Sequence, residues 1–426
     1  MLCIVGCGAA GLAAALESRE KKIVIIDGKG AASAISPWNM QAEQGLKEKM
    51  LNTGKINNRE ILDYFIENYS TAKEFLEKHN IKLRKSNMGI IPNYRMVGKE
   101  LTEIFRKKLI EKGVKIVEGN VKGIRVKGDK LCSIVVNSKE IYAENFIFAF
   151  GGLGNLYKYS TYVGAASNLL AACLEAGFEI GNLQYNMFHP FLIIDKKLPN
   201  TLLSGTLLQK MRFINSQNKE FLSEEIIEAL KNNKYHYLFS KMCREFYAES
   251  LKNKIYAEIL LNENEFNEYK QRDEFGWIFA NRKLSEIRRF RITPAFHYSL
   301  GGLTIDRNAK TSFENVYAAG ECTTGLHGCE RVGGVAIAEA IIFGITAAKN
   351  ANNGKLCRKG KLIKIPEIDE KHRQLFWELL GPIKRKKKLE TFIDENKRTD
   401  DIYIKLALKA AELSLDGNLG LNYVID

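Results

Sequence analysis

The chain has 426 residues, of which 45% are hydrophobic and 27% are charged. This composition is typical of a folded globular protein and argues against a disordered or fibrous one. At this length we expect two or three domains, because a single hydrophobic core stops growing beyond roughly 250–300 residues. Lysine and arginine exceed aspartate and glutamate by 14 (64 against 50). The excess is compatible with a solvated basic surface, a docking face or an anionic substrate; the basic runs carry no nucleic-acid motif.

The beginning of the chain indicates folded structure rather than a targeting signal. Leu2–Val5 is a strand-like run that leads into a glycine motif, without the charged lead and cleavage site of a signal peptide. No apolar run approaches the roughly 20 residues of a membrane span. The eight cysteines include no CxxC pair, which argues against iron–sulfur and zinc sites. We therefore predict a cytoplasmic protein with reduced thiols, no membrane span and no metal of its own.

Strand and helix patterns alternate in the first part of the chain. Leu2–Val5, Gly11–Ser18 and Ile23–Ile26 predict a compact β-α-β unit. Further along, helices are predicted over 58–79, 99–112 and 164–176, and strands over Lys115–Val117, Val121–Val126, Leu131–Val136 and Asn145–Phe150.

The pattern changes from about residue 187 to 290, where glycine becomes sparse and charged helices are predicted over 223–233 and 236–252. We interpret this stretch as an insertion. Strand-then-helix patterning returns at Val316–Glu321 and Val335–Asn350, followed by a Gly/Asn/Lys-rich linker over 351–364 and a mostly helical stretch over 367–414.

The sequence Gly6-Cys7-Gly8-Ala9-Ala10-Gly11 lies between the first strand and the first helix. Its first glycine allows a tight turn, its second allows a pyrophosphate to approach the backbone, and its third lets helix and strand pack closely. The helix N-terminus then offers unpaired N–H groups to the phosphates. Asp27 ends the second strand, where a carboxylate can bind ribose hydroxyls. This order predicts dinucleotide binding.

A second segment late in the chain favours FAD over NAD. A strand ending in Gly320-Glu321 leads towards a helix near Gly333-Gly334, so the chain returns to the cofactor after the insertion. In this arrangement Glu321 would meet the ribityl chain, and the helix N-terminus would face the flavin.

Several blocks together resemble one flavoprotein family. His297–Gly302, Tyr317–Glu321 and Leu326–Gly334 are similar, in order and spacing, to the HYxxGG, YAxGE and HGANR blocks of the fumarate reductase, succinate dehydrogenase and L-aspartate oxidase flavoproteins, with Cys329-Glu330 replacing Ala-Asn. Shorter matches are Phe188-His189-Pro190 for FHP, Gln44-Gly45 for AQGG and Gly151-Gly152 for ATGG. Two C-terminal stretches, Gly420–Tyr423 and Phe376–Ile383, are most similar to L-aspartate oxidases.

The resemblance implies an α/β fold: a Rossmann-type FAD-binding domain, an inserted α+β capping domain and a C-terminal helical region. The expected ranges are 1–186 and 296–352 for the FAD-binding domain, 187–295 for the capping domain and 365–426 for the helical region. The covalent flavin histidine of the family aligns near Asn39, so FAD should be bound non-covalently. The expected cofactor-binding residues are Gly6, Gly8, Ala9, Ala10, Gly11, Asp27, Ser33, Gln44, Gly45, Gly151, Gly152, Asn168, Gly320 and Glu321.

The family transfers hydride between a substrate carbon and flavin N5, and His and Arg side chains hold the substrate carboxylates. By resemblance, His189, His297 and Arg331 form this clamp, with Ser204 as a hydroxyl donor. The family's capping-domain arginine, its proton donor in fumarate reduction, has no clear counterpart. His236 aligns nearest to it, and Arg288, Arg289 and Arg291 are candidate substitutes, of which Arg291 is included in the predicted site.

The resulting expectation is an FAD-dependent oxidase of a small amino-dicarboxylate, foremost L-aspartate, giving iminoaspartate that in the family feeds quinolinate and NAD synthesis. Two alternatives remain open. One is a fumarate reductase or succinate dehydrogenase-type flavoprotein subunit that needs electron-transfer partners, and the other is a weakly catalytic flavin-binding assembly component. A quinolinate-pathway or electron-transfer protein is the expected partner class.

Overall fold

The computed structural model describes residues 1–86, 89–94, 96–162, 168–203, 205–272, 276–352, 354–416 and 424–425. In chain order the strands are β1 Leu2–Val5, β2 Ile23–Asp27, β3 Met40–Gln41, β4 Leu83–Ser86, β5 Gly89–Pro92, β6 Lys115–Glu118, β7 Val121–Lys127, β8 Lys130–Val136, β9 Lys139–Tyr142, β10 Asn145–Phe148, β11 Ile180–Gly181, β12 Asn186–Ile193, β13 Met211–Asn215, β14 Ile255–Ile259, β15 Arg289–Ser299, β16 Gly302–Thr304, β17 Val316–Ala318, β18 Thr323–Thr324, β19 Lys361–Lys364, β20 Lys384–Arg385 and β21 Val424–Ile425. The helices are α1 Ala9–Glu17, α2 Leu46–Gly54, α3 Arg59–Glu67, α4 Ser70–Lys78, α5 Val97–Glu111, α6 Leu169–Ala176, α7 Glu224–Lys231, α8 Phe239–Ser250, α9 Glu263–Arg272, α10 Leu284–Ile287, α11 Ala336–Asn350, α12 Glu370–Leu380, α13 Lys386–Asn396 and α14 Ile402–Asp416.

A five-stranded parallel sheet with the order β17-β10-β1-β2-β6 forms the centre of the fold. The residues of β1, β2, β10 and β17 are all buried, as expected for parallel strands covered on both faces. Helices α1 and α11 pack so closely that a Cβ atom on Gly344 would lie 2.4 Å from the carbonyl oxygen of Ala10. The Rossmann-type α/β arrangement predicted from the sequence is confirmed.

The inserted stretch has a hydrophobic core of its own, made of buried side chains between Phe191 and Ile292. The antiparallel sheet β12-β15-β14-β13 forms its framework. Strands β12 and β15 also reach the main core, because Phe188 and Phe296 belong to it. The two long strands therefore connect the two cores, and the proposed domain boundaries remain a prediction.

Two expectations about residues 351–364 are wrong. The linker is not irregular throughout, because Lys361–Lys364 forms β19 and pairs with β7 at the edge of the antiparallel sheet β19-β7-β8-β9.

The cysteines are not all reduced, since Cys132 of β8 and Cys357 form a disulfide with their Cα atoms 4.6 Å apart. Spacing could not reveal this pair, which is separated by 225 residues.

The C-terminal stretch is mostly helical, as the sequence pattern predicts. Both α12 and α13 pack against α14. Lys384, the first residue of the basic run Lys384–Lys388, is not on a solvated surface. Lys384 is 4% exposed, and burial lowers its pKa to about 8. The tail motif Gly420–Tyr423 lies outside the described residues. Within those residues, no helix is long and apolar enough to cross a membrane.

The disulfide predicts a definite thiol count. Alkylation of the denatured, unreduced protein should label six cysteines, because Cys132 and Cys357 are protected, and alkylation after reduction should label all eight. The measurement is the mass of the intact protein. In the control variant Cys357→Ser, the same number should be labelled with and without reduction. Labelling of eight cysteines in the unreduced native sequence would show that the pair is not cross-linked.

Candidate active site

The glycine motif lies at the carboxyl edge of the central sheet, between β1 and α1. Gly6 has φ +112°, and a Cβ atom there would lie 2.0 Å from the carbonyl oxygen of Ala149. A Cβ atom on Gly11 would lie 1.9 Å from the carbonyl oxygen of Gly6. The loop therefore requires glycine at positions 6 and 11, because a side chain at either would clash with the backbone, as its sequence predicts. Helix α1 begins after Gly8 without a side-chain cap at that residue, and its first N–H, that of Ala9, donates to Ser33 Oγ at 3.0 Å.

Asp27 ends β2 beside this loop and is 8% exposed. One carboxylate oxygen accepts the N–H of Lys29 at 2.9 Å, and the other is paired with the guanidinium of Arg106 from α5. Arg106 also contacts Cys7 Sγ at 3.8 Å and Glu118 at 3.5 Å. Sequence analysis missed Arg106, because nothing in the helical pattern of α5 links it to β2.

The second predicted cofactor segment, Gly320-Glu321, reaches the same edge of the sheet directly after β17. Gly320, at φ +78°, faces α1, and a Cβ atom there would lie 3.2 Å from the Cβ of Ala10. Glu321 Oε1 accepts hydrogen bonds from the Tyr162 hydroxyl and from the Ser299 N–H, the latter at 2.9 Å. Burial raises the pKa of Glu321 to about 7, against the opposing effect of these two bonds. Glu321 is thus enclosed at the sheet edge.

The other predicted cofactor residues differ in their surroundings and exposure. Gly151 has φ +78°, and a Cβ atom there would meet no other atom within 4 Å, whereas a Cβ atom on Gly152 would lie 2.0 Å from Glu321 Oε1. Gln44 and Gly45 are exposed at the start of α2. Asn168 accepts from the Asn155 side chain at 3.2 Å, next to α6.

His189 and His297 face each other across the paired strands β12 and β15. Their ring centroids are 5.6 Å apart. His189 Nδ1 accepts the N–H of Phe191 at 3.2 Å, so a neutral His189 carries its proton on Nε2 and can donate from there. His297 Nδ1 lies 3.0 Å from the Thr161 hydroxyl.

Both imidazoles are held in the neutral form. Burial lowers the pKa of His297 to about 3, and the nearby Arg331 guanidinium adds to this effect. Burial, together with His297, also holds the pKa of His189 well below its usual range. Neutral imidazoles can donate a hydrogen bond to a carboxylate but carry no charge to pair with it.

Arg331 lies over the ring of Tyr298, with its guanidinium carbon 4.3 Å from the ring centroid. The Tyr298 hydroxyl donates to Glu339 Oε2 at 2.8 Å, and His327 Nε2 lies 2.8 Å from the same oxygen. Glu339 is 2% exposed and His327 5%. His327 and Tyr298 therefore share Glu339, and the Tyr298 ring supports Arg331. The sequence analysis missed Tyr298 and Glu339. The signal that could have identified Glu339 is that it is a single acidic residue in the apolar run of α11.

Arg331 keeps much of its hydrogen-bonding capacity unused. Its Nη1 donates to the carbonyl oxygen of Val332 at 3.2 Å. Its Nε is buried and has no hydrogen-bond partner among the described residues. A buried guanidinium N–H without a partner is costly, so an anion bound here would gain a charge-assisted hydrogen bond.

The capping stretch closes the other side of the site through α8. The Phe239 ring lies 4.9 Å from the ring of His189, and the Ser240 hydroxyl donates to Glu330 Oε1 at 3.1 Å. Glu330 is next in sequence to Arg331, and Tyr298 is next to His297. These neighbours and the contacts described above together link seven residues into a closed loop. We call it the site ring; it consists of His189, Phe239, Ser240, Glu330, Arg331, Tyr298 and His297.

The predicted arginine substitutes are not part of the site ring. Arg291 lies at the far end of β15, roughly 20 Å from His297 along the extended strand, and its N–H donates to Asp195. Arg288 donates to the carbonyl oxygens of Ile259 and Leu261, and Arg289 lies over the Tyr256 ring. Proximity in sequence was misleading because a strand extends its residues away from one another.

Two further residues of the predicted site are His236 and Ser204. The backbone of His236 lies in the short 3-10 segment that leads into α8. Ser204 lies outside the described residues.

Comparison with known proteins agrees with this geometry. The family described as "FAD binding domain" matches residues 93–337, more than half of the chain. The chain belongs to the FAD-binding domain family. The L-aspartate oxidase of Clostridium perfringens is 25% identical over 82% of this chain and 86% of its own length, and that of Pyrococcus horikoshii is 23% identical over 96% and 91%. The fumarate reductase flavoprotein subunit of Escherichia coli is 22% identical over 82% of this chain and 67% of its own.

Solved structures give the same fold. A FrdA chain of E. coli quinol fumarate reductase superposes with a TM-score of 0.70 at 18% identity, covering 99% of this chain and 87% of that one. The chain is therefore an FAD-dependent oxidoreductase of the L-aspartate oxidase and fumarate reductase group. The start of α1, where the Ala9 N–H is the only one with a side-chain partner among the described residues, the open space at Gly151 and the carboxylate of Glu321 fit FAD at the sheet edge.

The electrostatics of the two histidines predict that neither titrates in the neutral range. In protein labelled with ¹⁵N-histidine, the imidazole signals of His189 and His297 should stay those of neutral rings from about pH 5.5 to 8, where an unperturbed histidine changes charge. The variants His189→Gln and His297→Gln assign the two signals. Movement of either signal with a midpoint near pH 6.5 would contradict the prediction.

Proposed function

We propose that this protein oxidises L-aspartate to iminoaspartate, with FAD accepting the hydride. The observation that carries the proposal is the site ring, in which the under-used guanidinium of Arg331 lies near the neutral imidazole of His297, which in turn faces that of His189. Such a set can bind one carboxylate by a charge-assisted pair and another by neutral donors. The relatives named L-aspartate oxidase match most of this chain and support the choice of an amino-dicarboxylate.

Each residue of the site ring would have a separate task. When bound, FAD supplies the hydride acceptor at its N5 atom. Arg331, supported from behind by Tyr298, would hold one substrate carboxylate in a fixed orientation. His189 would donate from Nε2, because its Nδ1 already accepts the Phe191 N–H. The surrounding apolar wall, including Phe239, would exclude water from the reacting carbon. In this reaction the substrate would lose a hydride and a proton; FAD would supply the two-electron acceptor, with O2 or another oxidant as the terminal acceptor.

Fumarate reduction is the second candidate, because the fumarate reductase flavoprotein subunit and FrdA chains are also similar to this one. It requires a proton donor on the far side of the substrate. None of the arginines at 288, 289 and 291 lies near His297, since Arg289 and Arg291 are at the other end of β15 and Arg288 immediately precedes that strand. This observation disfavours fumarate reduction, and the aspartate proposal is preferred.

Anaerobic mixing tests the main proposal. L-aspartate should bleach the flavin absorbance of the purified holoenzyme faster than succinate or malate does. The variant Arg331→Lys should slow the bleaching roughly 100-fold, because an ammonium cannot reproduce the fixed fork of the guanidinium and misplaces the substrate. Arg289→Lys, at the distant end of β15, is the matched control and should be unaffected. The proposal fails if L-aspartate leaves the flavin oxidised, or if Arg331→Lys behaves like the native protein.

Fumarate should be a poor electron acceptor. After chemical reduction of the flavin under anaerobic conditions, added fumarate should restore the absorbance far more slowly than L-aspartate removes it, because none of Arg288, Arg289 and Arg291 lies near His297 to donate a proton. Reoxidation by fumarate at a rate comparable with reduction by L-aspartate would favour the second candidate instead.

A further inference from the structure

Thr161 lies beside His297 because the segment that carries it is paired with β15. The N–H of Phe296 donates to the carbonyl oxygen of Tyr159 at 2.8 Å, and the N–H of Thr161 donates to the carbonyl oxygen of Phe296 at 2.9 Å. Ser160 thereby forms an isolated parallel bridge with Phe296. The Thr161 side chain therefore reaches the residue that follows Phe296, and its hydroxyl lies 3.0 Å from His297 Nδ1.

The next residue fixes the same segment from the cofactor side. The Tyr162 hydroxyl donates to Glu321 Oε1, which also accepts the N–H of Ser299 from the end of β15. Thr161 is thus held by its backbone on one side and by its neighbour Tyr162 on the other. Its hydroxyl is placed against His297 by contacts that do not depend on the hydroxyl itself.

The hydrogen bond between this hydroxyl and the imidazole could run in either direction. His297 is neutral, because burial and the nearby Arg331 lower its pKa to about 3, so its ring carries one N–H. If Nδ1 donated that hydrogen to Thr161, the hydroxyl hydrogen would have no acceptor among the described residues. If Thr161 donates, Nδ1 accepts, and the ring hydrogen is on Nε2. The second direction is favoured, because a donor without a partner is rarer and more costly than an unused lone pair.

Nε2 is then the nitrogen of His297 that a ligand can use. It has no hydrogen-bond partner among the described residues, and the ring is only half-buried. A carboxylate is solely an acceptor, so it can bind an Nε2–H but not an Nε2 lone pair. The facing ring of His189 has the same arrangement, since its Nδ1 accepts the N–H of Phe191. With Thr161 as donor, both imidazoles present an N–H from Nε2.

We propose that Thr161 donates to His297 Nδ1 and so holds the ring with its N–H on Nε2, ready for a substrate carboxylate. Thr161 is a positioning residue, because it acts on the ligand through His297. The proposal rests on the proposed function, in which His297 belongs to the carboxylate clamp, and it adds the residue that sets the hydrogen-bonding role of that histidine. The ligand class is a dicarboxylate.

A purely structural role for Thr161 predicts the opposite results in two variants. Thr161→Val keeps the shape of the side chain and removes the hydroxyl. Thr161→Ser keeps the hydroxyl and removes the methyl group. The proposed role depends on the hydroxyl, so Thr161→Ser should retain it and Thr161→Val should lose it. A packing role depends on the methyl group, so Thr161→Val should retain it instead.

Nitrogen NMR of the holoenzyme labelled with ¹⁵N-histidine measures the hydrogen bond at His297. Protonated and unprotonated ring nitrogens give well-separated signals, and the signal of an unprotonated nitrogen moves when its hydrogen bond is removed. In the native protein at pH 7, His297 should have a protonated Nε2 and an unprotonated Nδ1. The Nδ1 signal should move in Thr161→Val and stay in place in Thr161→Ser. The variant His297→Gln assigns the signals.

Malonate measures the consequence for a dicarboxylate ligand. Its two carboxylates share one CH2 group, so it cannot lose hydrogen to form a carbon–carbon double bond. It is titrated into the oxidised holoenzyme, and its Kd is read from the perturbation of the flavin absorbance. Thr161→Val should bind malonate about 2- to 10-fold more weakly than the native protein, the effect of one neutral hydrogen bond. Thr161→Ser should stay within about twofold.

A native His297 with its proton on Nδ1 would overturn the proposal, and this outcome needs no variant. So would an unmoved Nδ1 signal or an unchanged malonate Kd in Thr161→Val, equal losses in both variants, or a native protein that does not bind malonate. Retained flavin absorbance and melting temperature establish that the variants are folded. The result is separate from that of the proposed function: the expected signals and Kd values in a protein whose flavin L-aspartate does not bleach would keep the role of Thr161 and refute aspartate oxidation.

Discussion

The buried carboxylate of Glu339 fixes the geometry on which the substrate side of the molecule depends. Removing a carboxylate from water costs several kcal/mol unless hydrogen bonds replace the lost hydration. Glu339 meets this condition with two groups from different parts of the chain, the Tyr298 hydroxyl of β15 and His327 of the loop before α11. The requirement ties that loop to β15. Because the Tyr298 ring supports Arg331, the same requirement sets where the guanidinium lies.

The cofactor side depends on the carboxyl edge of the parallel sheet, and both sides share the return leg of the chain. β17 pairs with β10, which pairs with β1, so Glu321 and the glycine loop are brought to one edge from opposite ends of the sequence. Ser299, at the end of β15, donates its N–H to Glu321. The strand that carries His297 and Tyr298 therefore ends against the cofactor edge. This connection places the site ring next to the carboxyl edge of the parallel sheet.

The sequence predicted those features that local pattern or a motif determines. The β-α-β unit around Gly6–Gly11, the late return at Gly320-Glu321 and the two candidate histidines, whose rings the structure brings together, could be found in this way, because each lies in a contiguous block. The features that were missed depend on contacts between distant segments. Arg106 reaches Asp27 from another helix, Cys132 meets Cys357 across a sheet, and Ser240 meets Glu330 across the site. The error over Arg291 has the converse cause, since neighbours in sequence diverge along a strand.

The distribution of charge explains why Arg331 is available for a ligand although two acidic residues lie nearby. The carboxylate of Glu339 is already satisfied by Tyr298 and His327, and its separation from the guanidinium by the Tyr298 ring leaves no ion pair between them. The pKa of Glu321 is raised to about 7 by burial, so at neutral pH it is only partly ionised and competes weakly for the guanidinium. A substrate carboxylate therefore does not have to displace an existing partner of Arg331. It satisfies a buried N–H, which is the condition for a strong charge-assisted hydrogen bond in a low-dielectric site.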